Sequence, residues 1–125
     1  MINFKGKNSN TKYKINKMAT DQQIQQLLNI IPNSKQNAMH ADEIARALGL
    51  PTSGTCEATR ALIREANLNG HFIVNTIDDG FWLTSSKQDI LDYLSTLSNR
   101  IKGTQDRINA LKTHWNHAHP DNSIQ

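Results

Sequence analysis

Between Ile90 and Trp115 the apolar residues fall at Ile90, Leu94, Leu97, Ile101, Ile108, Leu111 and Trp115, with Thr104 in the one gap. Successive spacings alternate four and three, the heptad period of a stripe that stays on one face of a single continuous helix. The stripe predicts a helix over 86–118, with Ser85 or Ser86 as its N-cap. Gly103 lies outside the stripe and costs about 1 kcal/mol against alanine, a local weakness and not a break. A helix of this length with an unbroken apolar seam needs something to cover it. Either a second copy supplies the cover, or the helix folds back on the rest of the chain. The flanks discriminate a little: in a parallel pair Arg107 would face Lys112 and Arg100 would face Gln105, so no attractive pair holds that arrangement. An antiparallel pair or an intramolecular packing suffers less. The expectation is a homodimer joined through the seven seam residues.

Upstream, three shorter helices and a hairpin are legible. Thr20 with Gln23 fits a capping box, Ile24, Leu27, Leu28 and Ile31 share a face, and Pro32 ends the first helix. "HADEIARALGLP" predicts a second helix with Ile44, Ala45 and Leu48 inward, closed by Gly49 and followed by Pro51. A third helix is expected from about Ser53 or Thr55 to Leu68, with Thr59, Leu62, Ile63 and Ala66 facing the core and Asn69-Gly70 ending it. "IVNTIDDGFWL", Ile73 to Leu83, reads as a hairpin with strands Phe72–Asn75 and Phe81–Thr84. Asp79-Gly80 at its bend suits the two positive-φ positions of a type I′ turn.

Charge is divided unevenly along the chain. Lys5, Lys7, Lys12, Lys14 and Lys17 stand in the first 18 residues without any acid, while the remainder holds nine Lys/Arg and eleven Asp/Glu and so sums to −2. Residues 1–18 therefore read as a disordered basic arm, either tracking phosphate or solvated as a tail. The expected organisation is that arm, a domain over 19–85, the long helix over 86–118 and a disordered tail over 119–125. The fold class is mainly α with a minor β component. No apolar run approaches the roughly 18–20 residues that span a bilayer, and the first 18 residues lack the apolar centre of a secretion signal, so a cytoplasmic protein with no membrane association is expected. The single cysteine, Cys56, excludes an intrachain disulfide and is expected as a small buried apolar residue.

Helix, helix, tight turn, helix and hairpin is the order of a winged helix-turn-helix, and the sequence resembles that superfamily. "ADEIARALGL" is similar to its second helix, "TCEATRALIREANLNGHFIV" to its recognition helix entering the first wing strand, and "DDGFWLT" to the returning wing. "Gly-Phe-Trp-Leu-Thr" followed by a long helix with "Asn-Arg-Ile-Lys" is similar to small early-region proteins of phages and other mobile elements. The resemblance implies a third helix in the major groove of double-stranded DNA with the wing beside a phosphate strand. Its residue-level implication is a set of DNA contacts at Ser53, Thr55, Glu57, Arg60 and Arg64, with Asn75 and Thr76 on the flank of the wing and the five arm lysines on phosphate. Arg60 and Arg64 lie one turn apart and could bind guanine bidentately or hold phosphate. The function implied is that of a phage or mobile-element transcriptional regulator or replication-region factor.

Other features oppose an easy DNA reading. Glu57 and Glu65 offset the two arginines, and Asp78 and Asp79 put negative charge at the wing tip. The competing expectation is a winged-helix protein-interaction module that docks on a host or phage protein, for example a small inhibitor of a host nucleic-acid enzyme such as an anti-CRISPR protein. No nucleophile and base constellation, paired carboxylates or glycine-rich phosphate loop accompanies His40 and His71, so no enzyme activity or cofactor is expected. "HWNHAH" brings His114 and His117 onto one helix face without a cysteine, and solvated histidines are expected there, not a metal site.

Overall fold

The computed structural model describes residues 21–125, which divide into two units, one ending at Ser86 and the other covering Lys87–Gln125. The basic arm and Thr20 of the expected capping box lie outside the described residues. The architecture is mainly helical, with one two-stranded antiparallel sheet and a long C-terminal helix.

Helix α1 covers residues 21–30 and buries Ile24 and Leu27, and Ile31 just past its end is buried with them, at the expected three- and four-residue spacing. Pro32, which has no N–H to donate, stops it. A 3-10 turn at Lys35–Asn37 leads to α2, Ala41–Leu48. The His40 N–H donates to the Glu43 carboxylate at 2.8 Å, satisfying one of the open donors at the helix start. Gly49 closes α2 in the left-handed conformation (φ 71°), with Gly49 N–H to the Arg46 carbonyl and Leu50 N–H to the Ala45 carbonyl. That pair of bonds is a Schellman closure, as Gly49-Leu50-Pro51 leads one to expect.

Helix α3 runs Glu57–Leu68, starting later than expected. Cys56 immediately before it has φ 57°, and this non-glycine left-handed residue turns the chain sharply enough that Ser53 and Thr55 belong to the preceding turn. The core face is the expected one: Thr59, Leu62, Ile63 and Ala66 are buried, and Cys56 is buried beside them. Strands β1, Ile73–Thr76, and β2, Gly80–Leu83, pair antiparallel with Val74 opposite Trp82 and Thr76 opposite Gly80. Three residues, Ile77 to Asp79, connect the strands. The type I′ turn is corrected by this geometry, because Asp79 has no positive φ and only Gly80 does (φ 99°). A three-residue loop closed by a glycine at positive φ meets the twist of the strands equally well.

A third chain segment completes the sheet edge. The Met39 N–H donates to the Phe81 carbonyl at 3.0 Å and the Phe81 N–H to the Met39 carbonyl at 2.7 Å, forming an isolated bridge. Further along, the Leu83 N–H donates to the Pro32 carbonyl at 2.8 Å. The outer edge of β2 is therefore paired with the link between α1 and α2, which removes an open template for strand addition. Gly80 is required there twice over: a Cβ at that position would lie 2.5 Å from the Met39 carbonyl oxygen. Ile24, Leu27, Ile44, Ala45, Ile63, Ala66, Ile73 and Phe81 meet in one core. Leu27, Ile44 and Ile73 are almost wholly buried, at about 1.5–3 kcal/mol each.

The second unit is α4, Lys87–Ala118, followed by a 3-10 turn at Pro120–Asn122. Its 32 residues extend about 48 Å. No residue of α4 is buried; Ile101 is 71% exposed and Leu111 67%. On the polar side, Lys102 pairs with Asp106 at 3.1 Å and Gln88 bonds Asp92 at 2.8 Å, both four residues apart. The expected disordered tail at 119–125 is corrected to an ordered fold-back. The Trp115 indole N–H donates to the Asn122 carbonyl at 2.8 Å, Asn116 exchanges two hydrogen bonds with the Ile124 backbone, and the His119 ring stacks on Trp115 with centroids 3.9 Å apart. Pro120 breaks the helix and turns the chain back, so these backbone groups find partners on α4 itself.

Candidate nucleic-acid interface

The residues expected to meet DNA begin in the turn before α3. There the Thr55 hydroxyl donates to the Glu57 carboxylate at 3.0 Å, and the Thr55 carbonyl accepts the Arg60 Nε–H at 2.6 Å. Arg60 also lies over the Phe81 ring, its guanidinium carbon 5.9 Å from the centroid. Thr55, Glu57 and Arg60 therefore form a network among themselves. Arg60 ties the helix start to β2, yet among the described residues only its Nε finds a hydrogen-bond partner, which leaves its two terminal nitrogens for others. Holding the guanidinium in one place lowers the side-chain entropy lost when those nitrogens find a partner. Ser53 contributes its carbonyl to the Cys56 N–H at 3.4 Å, which helps close the turn.

Arg64 stands one helical turn beyond Arg60, exposed, and has no partner among the described residues. Glu65 beside it is exposed as well. At the far end of α3, the Asn67 side-chain amide donates to the His71 carbonyl at 2.9 Å and to the Ile73 carbonyl at 3.0 Å. These bonds hold β1 at a fixed angle to α3. Asn67 carries only a faint signal in the sequence, its place two residues before the helix-ending Asn69-Gly70 pair.

The hairpin flank divides. Asn75 is half-buried on β1 opposite Phe81, without a side-chain partner. Thr76 is committed: its hydroxyl donates to the Asp79 carboxylate at 2.7 Å and accepts the Asp79 N–H at 3.0 Å. The three-residue loop thus uses Thr76 to fix its own shape. Asp79 further faces Lys35 at 3.9 Å, and Lys35 lies 5.9 Å from the Trp82 ring centroid. One of the two tip acids thus has a structural role, which the sequence suggested only through its glycine neighbour. Asp78 is exposed and has no partner among the described residues, next to Ile77, which is 88% exposed.

Over residues 21–86 four Lys/Arg stand against seven Asp/Glu, a net of −3. The five arm lysines lie outside the described residues. Among those described, no group of three or more His, Cys, Asp or Glu is arranged to hold a metal ion, and no helix is long and apolar enough to cross a membrane. Comparisons of the chain with protein-family models, with characterised proteins and with solved structures give no match.

Proposed function

We propose that the chain is a sequence-specific DNA-binding protein of winged helix-turn-helix type, acting in the cytoplasm as a phage or mobile-element transcriptional regulator or replication-region factor. The observation that carries this reading is the pair of arginines on the outer side of α3: Arg60 preset with its terminal nitrogens open, and Arg64 unpartnered one turn away. The Met39–Phe81 bridge supports the fold part of the reading. It pairs the link between α1 and α2 with β2 and so holds the hairpin against the helices. In this proposal α3 enters the major groove, Asn75 approaches a phosphate from the hairpin flank, the arm lysines follow the backbone, and two copies join through α4.

Selection of bound fragments by the purified chain, followed by anisotropy titration against the selected duplex, tests the proposal. Arg64→Ala is expected to weaken specific binding by roughly 5- to 150-fold, the worth of one good bidentate base contact. Removal of residues 1–18 is expected to lower the salt slope by up to about 4.5, at ~0.9 for each of five phosphate contacts. Selection of no sequence above background, or indifference of the selected duplex to both Arg60→Ala and Arg64→Ala, defeats it.

A second reading has its own observation. The hairpin tip offers an exposed Ile77 beside an exposed Asp78, and residues 21–86 carry a net charge of −3, a poor surface for phosphate and a usable one for protein. Under that reading the unit docks on a host or phage protein, as an inhibitor of a host nucleic-acid enzyme, such as an anti-CRISPR protein, would. Ile77→Ser with Asp78→Lys would abolish capture of that protein and leave duplex binding intact.

A further inference from the structure

The α4 seam has a property that its period alone does not require. Taken antiparallel against a second copy, Ile90 meets Trp115, Leu94 meets Leu111, Leu97 meets Ile108 and Ile101 meets Thr104, so every seam position from end to end finds an opposite number. We infer that α4 pairs with α4 of a second copy in this antiparallel register.

Two observations favour it over the parallel alternative, and a third favours a pair over a lone helix. The first is the layers themselves. A parallel pair stacks Trp115 on Trp115 and Thr104 on Thr104, one layer overfilled and one polar. The antiparallel pair sets the largest side chain against isoleucine and the hydroxyl against isoleucine, which evens the volume along the seam.

The second is the C-terminal fold-back. Trp115 already has its only donor satisfied by the Asn122 carbonyl, so its ring can enter an apolar layer without leaving a buried N–H unpaired. The same fold-back brings residues 119–125 against Lys112, Trp115 and Asn116. In a parallel pair two such tails converge on one end. In the antiparallel pair each meets the start of the other helix, where Leu91, 46% exposed, comes beside the aliphatic stem of Lys112 of the second copy.

The third is area. Burying a side chain of Leu or Ile size removes roughly 60–120 Å² of apolar surface, so seven seam residues supply on the order of 500 Å² per copy. With apolar atoms making up about 57% of an interface, the whole comes to about 900 Å² per copy, against ~800 Å² per partner in stable complexes.

Charge sets a fingerprint for the register. The antiparallel pair places Arg100 near Arg107 of the second copy, twice per dimer, whereas the parallel pair places Arg107 near Lys112. Each arrangement has its own repulsive contact, and each can be relieved separately.

This inference rests on the dimeric part of the proposed function and is independent of DNA. The test uses the full chain, with wild type, whose Cys56 is buried, as the cross-linking blank. Leu94→Cys and Leu111→Cys chains are oxidised separately and mixed, and the mass is measured by sedimentation. Cross-linking in the mixture alone, with a dimer mass, is the expected result. Arg100→Glu is expected to tighten the dimer about tenfold, whereas Lys112→Glu, which only loses stem contact with Leu91, is expected not to tighten it. Self-cross-linking of either single variant, or tightening by Lys112→Glu alone, overturns the antiparallel register while leaving a dimer in place. A monomer mass at high micromolar concentration removes both.

Discussion

Replacing Gly80 by alanine tests the link between the hairpin and the α1–α2 connection directly. Two costs are separable there. The first is conformational: at φ 99° an L-residue pays about 1–2 kcal/mol. The second is the close approach, since a Cβ would come within 2.6 Å of both the carbonyl oxygen and the carbonyl carbon of Met39, and within 2.9 Å of the His40 nitrogen. These are backbone atoms and cannot swing aside, so the connection must withdraw and give up the two Met39–Phe81 hydrogen bonds, at about 1 kcal/mol each. The total is about 3–4 kcal/mol, a large share of the ~5–15 kcal/mol available to a domain. Gly70 provides the control: its φ is 93°, but nothing lies within 4 Å of where its Cβ would stand, so Gly70→Ala carries only the first cost. At about 4–8 °C per kcal/mol for a unit of this size, Gly80→Ala should lower Tm by roughly 15–30 °C and Gly70→Ala by roughly 5–15 °C. Near-ultraviolet circular dichroism of the buried Trp82, with amide exchange at Phe81, follows the change. If the two variants differ by less than about 0.5 kcal/mol, or if Phe81 exchange is unaltered in Gly80→Ala, the close approach is not what confines this position to glycine.

Thr59 is buried and its hydroxyl has no hydrogen-bond partner among the described residues, so Thr59→Val, which keeps the shape and deletes the polar atom, should raise Tm by about 4–8 °C, the equivalent of about 1 kcal/mol; a lower Tm would contradict the reasoning. Asp79→Ala removes the carboxylate that accepts the Thr76 hydroxyl, together with the Lys35 ion pair, and is expected to cost about 1–2 kcal/mol in urea denaturation, whereas Lys35→Ala removes only the exposed 3.9 Å ion pair and should cost under about 1 kcal/mol. The reverse order would mean that the tip is held by Lys35 and not by its own loop. Trp115→Phe keeps the ring and loses the bond to Asn122, so heteronuclear relaxation should show residues 122–125 gaining mobility while α4 as far as Leu111 is unchanged.

Elements whose cause is local were legible in the sequence. Helix α2 is an example, because Glu43 at its start and Gly49 at its end act on their own immediate neighbours. The buried face of α3 followed equally from the spacing of Thr59, Leu62, Ile63 and Ala66. Its first turn did not, since Ser53 and Thr55 both look like caps and nothing about a cysteine announces a left-handed backbone. Of the candidate site, the positions of Arg60, Arg64 and Asn75 could be anticipated, but their partners could not. Arg60 reaches Phe81, 21 residues away, and Lys35 reaches Asp79, 44 away, and such meetings depend on the whole fold. Met39 is the clearest case: a single apolar residue in a polar connection carries no strand signal, because its pairing is dictated by the open side of β2.

That pairing also orders assembly. The hairpin closes across three residues and needs only neighbours to form, whereas Met39 must find Phe81 across 42 residues of separation, at an entropic cost of about 3 kcal/mol for loop closure. Until α1, α2 and α3 have collected around Leu27 and Ile44, the bridge has nothing to offset that cost. It therefore forms late, and in reverse it is the first contact of the sheet to open, baring one side of β2 while Val74 and Trp82 are still paired.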